Sequence, residues 1–237
     1  MSILHDGLVQ LGLDRPPLEE KMDIYIRTLQ EFNAKFDLIN TDTYDEIAIR
    51  HIFDSLSAAK EISRLIAERI AALSANGISA ASAEENFLLA DIGSGAGLPG
   101  IPLAAAFPER RFVLVERMTK RVDFLRHCVQ SLRLSNVTVE ENQAERLEQR
   151  RFDIAVFRAF RPLEKKMARV LLRILKDGGC LAAYKARREK IEEEMQSLPQ
   201  IPAYTVLPLT VPFLTKDAGL EEERERNLVI ITQNRKN

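Results

Sequence analysis

Apolar residues recur every three or four positions through the first third of the chain and then gather into short unbroken runs. That change of period divides the sequence into a helical part and a part where strands and helices alternate. From Leu18 to Leu38 the apolar stripe is Leu18, Met22, Tyr25, Ile26, Leu29, Phe32 and Phe36, which predicts one amphipathic helix. Thr41 to Asp45 supplies polar turn and N-cap residues, and helical periodicity resumes at Ile47. A second long helix is predicted from His51 to about Ala75 on Leu56, Ile62, Leu65, Ile66, Ile70 and Leu73. Asn76-Gly77 ends it, and Ser79 to Glu85 reads as a small-residue linker.

From Phe87 the candidate strands are Phe87–Ile92, Phe112–Glu116, Val137–Glu140, Asp153–Phe157 and Cys180–Lys185, with helices near 98–106, 119–133 and 162–176. This βαβα rhythm predicts a mainly parallel sheet with helices on both faces. Tyr204–Leu209 and Asn227–Thr232 add two strands whose long connection has no clear helix, so an antiparallel hairpin is expected at the sheet edge. The expected organisation is a helical cap over residues 1–80 and a sheet domain over 81–237.

The 237 residues, 46% of them hydrophobic, can bury a full core. No apolar run approaches the ~18 residues of a membrane span and no charged-then-apolar leader opens the chain, so a cytoplasmic protein is expected, working as a monomer away from membranes. Cys128 and Cys180 lie in no C-x-x-C pair, and His5, His51 and His127 are scattered, so no disulfide framework and no metal site are expected. The net charge of -1 argues against a nucleic-acid partner until the chain is divided. Residues 1–90 carry 8 Lys and Arg against 15 Asp and Glu, residues 91–190 carry 21 against 12, and residues 191–237 carry 5 against 8. The excess of +9 in the middle segment can form a basic face whatever the average says.

The richest local signal is the run Leu89 to Pro102, which follows the first predicted strand and opens a helix. Gly95, Gly97 and Gly100 satisfy G-x-G-x-x-G, weak evidence alone. Asp91 before Gly93 and Gly95 makes D-x-G-x-G; a carboxylate there repels a pyrophosphate but suits the ammonium end of methionine through the loop or water, which favours S-adenosylmethionine over a dinucleotide. Glu116 closes the second strand nineteen residues after Gly97, where a carboxylate can accept both ribose hydroxyls of either cofactor. Structural turn glycines and a nicotinamide oxidoreductase stay open on this pattern alone.

Several segments together resemble the bacterial 16S rRNA guanine-N7 methyltransferases, the RsmG or glucose-inhibited division protein B family. Asn33-Ala34-Lys35-Phe36-Asp37-Leu38 is similar to that family's W-N-x-x-x-N-L, and Arg50-His51-Ile52-Phe53-Asp54-Ser55 to its R-H-x-x-D-S. Gly93 to Pro102 matches G-[ST]-G-x-G-L-P-G-I-P, Lys120 to Leu125 resembles K-R-x-x-F-L, Arg158-Ala159-Phe160 resembles S-R-A-F, and Arg226-Asn227-Leu228-Val229 resembles R-x-L-V. Three positions depart from the pattern: Gln143 stands for an arginine, Phe157 for a serine and Ala186 for a glycine.

The resemblance implies a Rossmann-like class I S-adenosylmethionine-dependent methyltransferase with a seven-stranded sheet, an N-terminal helical extension and 16S rRNA, the small ribosomal subunit or its assembly intermediate as partner. It implies that Asp91, Gly93, Gly95, Gly97 and Leu98 serve the cofactor, with Glu116, Arg117 and Met118 on its ribose side and Ala144 and Glu145 at its adenine. Arg158 would stand between cofactor and substrate. His51 and Asp54 join it as candidate catalytic residues and, with Lys185 and Arg226, shape the substrate side. By residue type alone Arg158 reads as an ion-paired strand cap and His51 as a packing histidine that Asp54, one turn on, can orient.

Guanine N7 carries a free lone pair, so such a site needs positioning more than a general base. The chain accordingly has no N-P-P-Y or D-P-P-Y after the fourth strand and no Pro-Cys nucleophile; Cys180 reads as core, and Cys128 and His127 point apart on their helix. Candidates for RNA phosphates are Lys120, Arg121, Arg126, Arg161, Lys165, Lys166, Arg169, Lys185, Arg187 and Arg188, with Lys165, Lys166 and Arg169 on one helix face. For base stacking only Tyr184, Phe157 and Phe160 are near the crevice. A small-molecule methyltransferase with a helical lid and a non-catalytic rRNA-binding assembly protein are the alternatives.

Overall fold

A computed structural model of the chain describes residues 2–158, 163–198, 203–215 and 224–232; Ala159, Phe160 and Arg161 lie outside the described residues. Helix α1 (Ile3–Gln10) starts at Ser2, whose hydroxyl accepts the His5 N–H. Helix α2 (Pro16–Phe36) has proline in its first turn, and Asp37 ends it in the left-handed region, φ 50°, which short polar side chains tolerate. Asn33 then pins the exit loop, its Oδ1 accepting the Ile39 N–H at 2.8 Å and its Nδ2 donating to Asp42 at 2.6 Å.

The single helix expected from His51 to Ala75 is replaced by three pieces. Helix α3 (Tyr44–Ile47) runs into a π-helical turn, Ala48–Phe53; α4 (Asp54–Leu56) follows, and α5 (Ala59–Ala75) begins after a break at Ser57 and Ala58. The Ser55 and Ser57 hydroxyls turn back to the carbonyls of His51 and Asp54, at 2.6 and 2.7 Å, a competition with the helix ladder that apolar spacing does not register. The expected linker at Ser79–Glu85 is a short helix, α6 (Ala80–Glu85), capped by Ser79.

The sheet contains β1 (Leu88–Ile92), β2 (Arg111–Glu116), β3 (Val137–Glu141), β4 (Phe152–Arg158), β5 (Leu175–Lys185), β6 (Ala203–Pro208) and β7 (Asn227–Thr232) in the order β3-β2-β1-β4-β5-β7-β6. Strands β1 to β5 are parallel, while β7 runs antiparallel to both β5 and β6. The last two strands pair as expected, but β7 is inserted beside β5 and only β6 forms the edge. Helices α7 (Gly100–Ala106), α8 (Thr119–Ser131), α9 (Lys165–Arg173) and α10 (Arg188–Gln196) complete the fold. Helix α9 stops at Arg173, short of the predicted 176, because β5 begins at Leu175. Helix α10 was not anticipated; it buries only Ile191 and Met195, too sparse a stripe to stand out.

The N-terminal helices have no core to themselves. Leu4, Leu18, Met22, Tyr25, Ile26, Leu29 and Phe53 pack in one cluster with Ile101, Leu114, Phe124 and Leu125 of the sheet domain. The change of secondary structure near residue 80 is therefore not a change of core. A second cluster joins α9 and α10 to the sheet through Leu171, Ile191 and Met195, and a third seats Ile62, Leu65 and Ile66 of α5 against Phe112 and Tyr184. Strand order reverses between β2-β1 and β1-β4, which opens a crevice at the carboxyl ends of these strands, where doubly wound sheets take their ligands.

Candidate active site

Two cavities adjoin at that crevice. One, about 490 Å³, follows the strand ends and is lined by Ile92, Gly93, Val115, Glu116, Arg117, Met118, Asn142, Gln143, Ala144 and Glu145, with Glu164 and Met167 across from them. The other, about 660 Å³, lies between Gly93–Ala96 and Leu98 of the glycine loop, Arg50, His51 and Asp54 of the N-terminal helices, and Tyr184, Lys185, Arg224 and Arg226 near the last strands. Gly93, Arg121 and Arg158 line both.

The glycine loop is held from three sides. Gly93 and Ser94 donate their N–H groups to the Val115 carbonyl at 2.9 and 3.0 Å, the Ser94 hydroxyl donates to the Asp91 carbonyl, and the Tyr25 hydroxyl of α2 donates to the Ala96 carbonyl. Gly93 and Gly95 have positive φ; Gly93 lines both cavities and Gly95 only the second. Gly97 (φ +87°) lines neither; a Cβ there would stand 2.4 Å from Ile101 Cδ1, which makes it a packing glycine. Leu98 reaches only the second cavity.

Asp91 also lines neither cavity. Fully buried beneath the loop, its Oδ2 accepts the Gly100 N–H at 2.9 Å while Oδ1 has no hydrogen-bond partner, and burial pushes its pKa up to about 7. Asp91 thus braces strand against helix beneath the glycine loop, and any influence on the ammonium end of a ligand passes through that loop. Like Glu145 and Glu164, Glu116 faces the first cavity. Its Oε2 accepts the Gly95 N–H at 2.9 Å and its Oε1 accepts those of Arg117 and Met118 at 2.8 and 2.9 Å. A carboxylate has about four lone-pair positions, so these three bonds leave room for one further donor instead of two.

Arg158 sits at the end of β4 between the cavities. Its guanidinium donates to Asp54 Oδ2 at 2.7 Å, to the Arg50 carbonyl at 3.2 Å and to His51 Nδ1 at 3.1 Å. The other carboxylate oxygen of Asp54 accepts from Arg226 Nε at 3.1 Å. Arginine can only donate, so His51 Nδ1 accepts and the imidazole proton sits on Nε2, which is buried without a partner. Burial first, then the neighbouring Arg158, pushes the His51 pKa down to about 3, and the ring stays neutral at physiological pH. Asp54 does not orient His51 directly: no hydrogen bond joins the two, and both meet the guanidinium of Arg158.

The second cavity is strongly cationic. Arg50, Arg121, Arg158, Lys185, Arg224 and Arg226 line it against one carboxylate, Asp54. Lys185 reaches it but is held by Glu194 of α10 at 2.8 and 3.0 Å, and the same Glu194 accepts the Leu163 N–H. Tyr184 contributes a ring, its hydroxyl donating to the Ser55 carbonyl, whereas Phe157 is fully buried and lines neither cavity. Lys120 is exposed outside both cavities, and Lys165 and Lys166 lie on an outer groove of α9. The residues missed in the sequence are Arg50, Arg224, Glu164, Met167 and Glu194. Arg50 had a signal, since it opens R-H-x-x-D-S; the others sit on elements whose packing gave none. Of the three departures, Gln143 lines the first cavity, Ala186 the second, and Phe157 is core. Among the described residues no three His, Cys, Asp or Glu are grouped to hold a metal, and no helix is long and apolar enough to cross a membrane.

Comparison with known proteins agrees with this geometry. The family described as rRNA small subunit methyltransferase G matches residues 18–217. A ribosomal RNA small subunit methyltransferase G of Treponema denticola is 37% identical over 245 residues, covering 97% of this chain and 93% of its own. A protein of the same name in Bacillus cereus is 30% identical over 226 residues, covering 92% and 83%. Among solved structures, one described as a predicted O-methyltransferase from Agrobacterium tumefaciens superposes with a TM-score of 0.51 at 18% identity, over 64% of this chain and 76% of that one, a likeness of fold.

Proposed function

The chain belongs to the rRNA small subunit methyltransferase G family, and from that premise we propose that it transfers a methyl group from S-adenosylmethionine to N7 of a guanine in 16S ribosomal RNA. The observation that carries the reading is the junction of two unlike cavities at Gly93, Arg121 and Arg158, one presenting the Glu116 carboxylate and the other ringed by cations.

The first cavity suits S-adenosylmethionine. Glu116 keeps an acceptor for a ribose hydroxyl, Gly93 has no side chain to obstruct a ligand, and Met118, Ala144 and Met167 offer apolar surface to a purine. Arg117 and Glu145 complete its rim, and Gly95 holds Glu116 from the loop. When bound, the cofactor supplies a methyl carbon made electrophilic by its sulfonium. In the second cavity Arg121, Lys185 and Arg226, with Lys120 outside it, attract the phosphates of the RNA, and Tyr184 gives one ring to a displaced base.

Guanine N7 needs no deprotonation before attack, so the residues here orient. Arg158, fixed by Asp54, His51 and the Arg50 carbonyl, presents a rigid fork of donors to the O6 side of the base. Neutral His51 neither moves a proton nor repels the arginine that it accepts from. Residues 1–80 serve as a helical cap that completes the substrate wall of the catalytic unit, 81–237. The reading is completed by a monomer acting in the cytoplasm, where ribosomes assemble.

The test is transfer of labelled methyl groups from S-adenosylmethionine to isolated 30S particles, naked 16S rRNA and small metabolites, followed by mass mapping of modified guanines. Label at one guanine N7 is expected. Label confined to metabolites overturns the reading in favour of a small-molecule enzyme, and tight RNA binding without transfer favours an assembly protein.

A further inference from the structure

Met167 of α9 and Glu164, the residue that precedes the helix, line the cofactor cavity. The outer side of α9 carries Lys165, Lys166, Arg169 and Arg173 along a groove of about 480 Å³, whose one carboxylate is Glu164 just before the helix. Resting on the assignment of rRNA as substrate, we infer that this groove is a second RNA-docking surface that holds a stretch of phosphate backbone away from the target guanine.

Charge balance on the exposed helices distinguishes it. On α2, α5, α8 and α10 at least one exposed cation is ion-paired to a carboxylate one turn away: Arg27 with Asp23, Arg64 with Glu61, Arg126 with Asp123, Arg188 with Glu192. Helix α9, with the sequence KKMARVLLR, contains no acidic residue, and Lys165, Lys166 and Arg169 have no ion-pair partner among the described residues. Like charges at i and i+4, here Lys165 and Arg169, destabilise a helix, and cations in the first turn oppose its dipole. Both costs disappear when a polyanion lies along the groove. The second observation is Arg173: it lines the groove, its Nε is buried without a hydrogen-bond partner, and its NH2 donates at 2.9 Å to the Glu145 carbonyl in the cofactor wall. Positions 165, 169 and 173 climb the helix in steps of about 6 Å, a spacing comparable to that of neighbouring phosphates along a strand.

The experiment compares the full-length chain with the triple variant Lys165→Glu, Lys166→Glu, Arg169→Glu, and with a charge-matched control, Lys60→Glu, Arg111→Glu, Arg133→Glu, at exposed positions elsewhere. Affinity for a labelled 16S rRNA transcript is measured across a salt series, together with affinity for S-adenosylmethionine and thermal unfolding. For the α9 variant the RNA dissociation constant is expected to rise at least about tenfold and the salt slope to fall by about two to three, with cofactor affinity and unfolding as in the wild type. Wild-type affinity and slope in the α9 variant, or an equal loss in the control, overturns the inference. Because binding is read separately from methyl transfer, a wild-type chain that binds RNA through this groove without methylating it would defeat the enzymatic reading and leave the docking surface standing.

Discussion

The guanidinium of Arg158 at the end of β4 donates at 2.7 Å to the buried carboxylate of Asp54 in α4, across 104 residues of sequence. Asp54 is shared, because Arg226 donates to its other oxygen. The pair joins the N-terminal helices to the catalytic crevice and sets the plane of the arginine.

Removing either partner has unequal consequences. Asp54→Ala leaves two arginines facing each other without a counter-charge and is expected to cost about 3–5 kcal/mol of stability. Arg158→Ala leaves Asp54 paired with Arg226, so its unfolding free energy should fall less, while methyl transfer drops by about 10²-fold or more. Denaturant unfolding and initial rates on both variants check this; normal turnover in Arg158→Ala would remove the arginine from the mechanism.

Glu116→Gln tests the loop brace. The neutral amide weakens three charge-assisted bonds to Gly95, Arg117 and Met118 and turns a donor toward them. Cofactor affinity, measured by calorimetry, is expected to fall at least about tenfold, for a loss of about 1.4 kcal/mol or more.

Tyr25→Phe removes the hydroxyl that α2 extends to the Ala96 carbonyl. A buried acceptor left unsatisfied costs about 1–3 kcal/mol, and cofactor affinity should fall with it although Tyr25 lines neither cavity. Unchanged affinity would mean that the loop holds its shape without the cap.

Gly97→Ala and Gly95→Ala separate two uses of glycine. Both positions have positive φ, worth about 1–2 kcal/mol against alanine, but only at Gly97 does the new Cβ collide, 2.4 Å from Ile101. Gly95 meets nothing closer than the Gly93 carbonyl oxygen at 3.8 Å. Thermal unfolding should place Gly97→Ala well below Gly95→Ala.

Two buried groups act in opposite directions on stability as pH changes. His51, pushed down to about 3 in the folded chain, binds a proton only when unfolded between there and 6.5, so its contribution falls as pH falls through that window. Asp91, pushed up to about 7 from 3.8, is protonated in the folded chain over that interval, so its contribution falls as pH rises. His51→Gln should therefore make stability decline more steeply with rising pH between about 4 and 6.5, and Asp91→Asn should make it climb more steeply. Unfolding curves across that range measure both slopes.

The strand assignments near Phe87, Phe112 and Asp153 were legible because a buried parallel strand must be a short apolar run, and the long α2 because its stripe repeats at the helical period. The π-helical turn at Ala48–Phe53 was not, since apolar spacing carries no record of serine hydroxyls bonding backward. Asp91 was identified as a charge beside glycines, but its direction depends on Gly100 arriving nine residues later at hydrogen-bond distance. Glu116 was legible as the acid that closes the second strand, and Arg158 through the family resemblance.

Legible along the chain were the order of the strands, the long α2, the glycine loop with its acidic partner, the basic middle segment and the family resemblance. These are local or nearly local patterns, written in period, turn chemistry and motif. Only the tertiary structure decided that α2 supports the loop through Tyr25, that Asp54 serves two arginines instead of His51, and that Lys185 spends its charge on Glu194. Those contacts join residues far apart in the chain, and they arise from how packed elements close on one another, which no spacing along a single segment specifies.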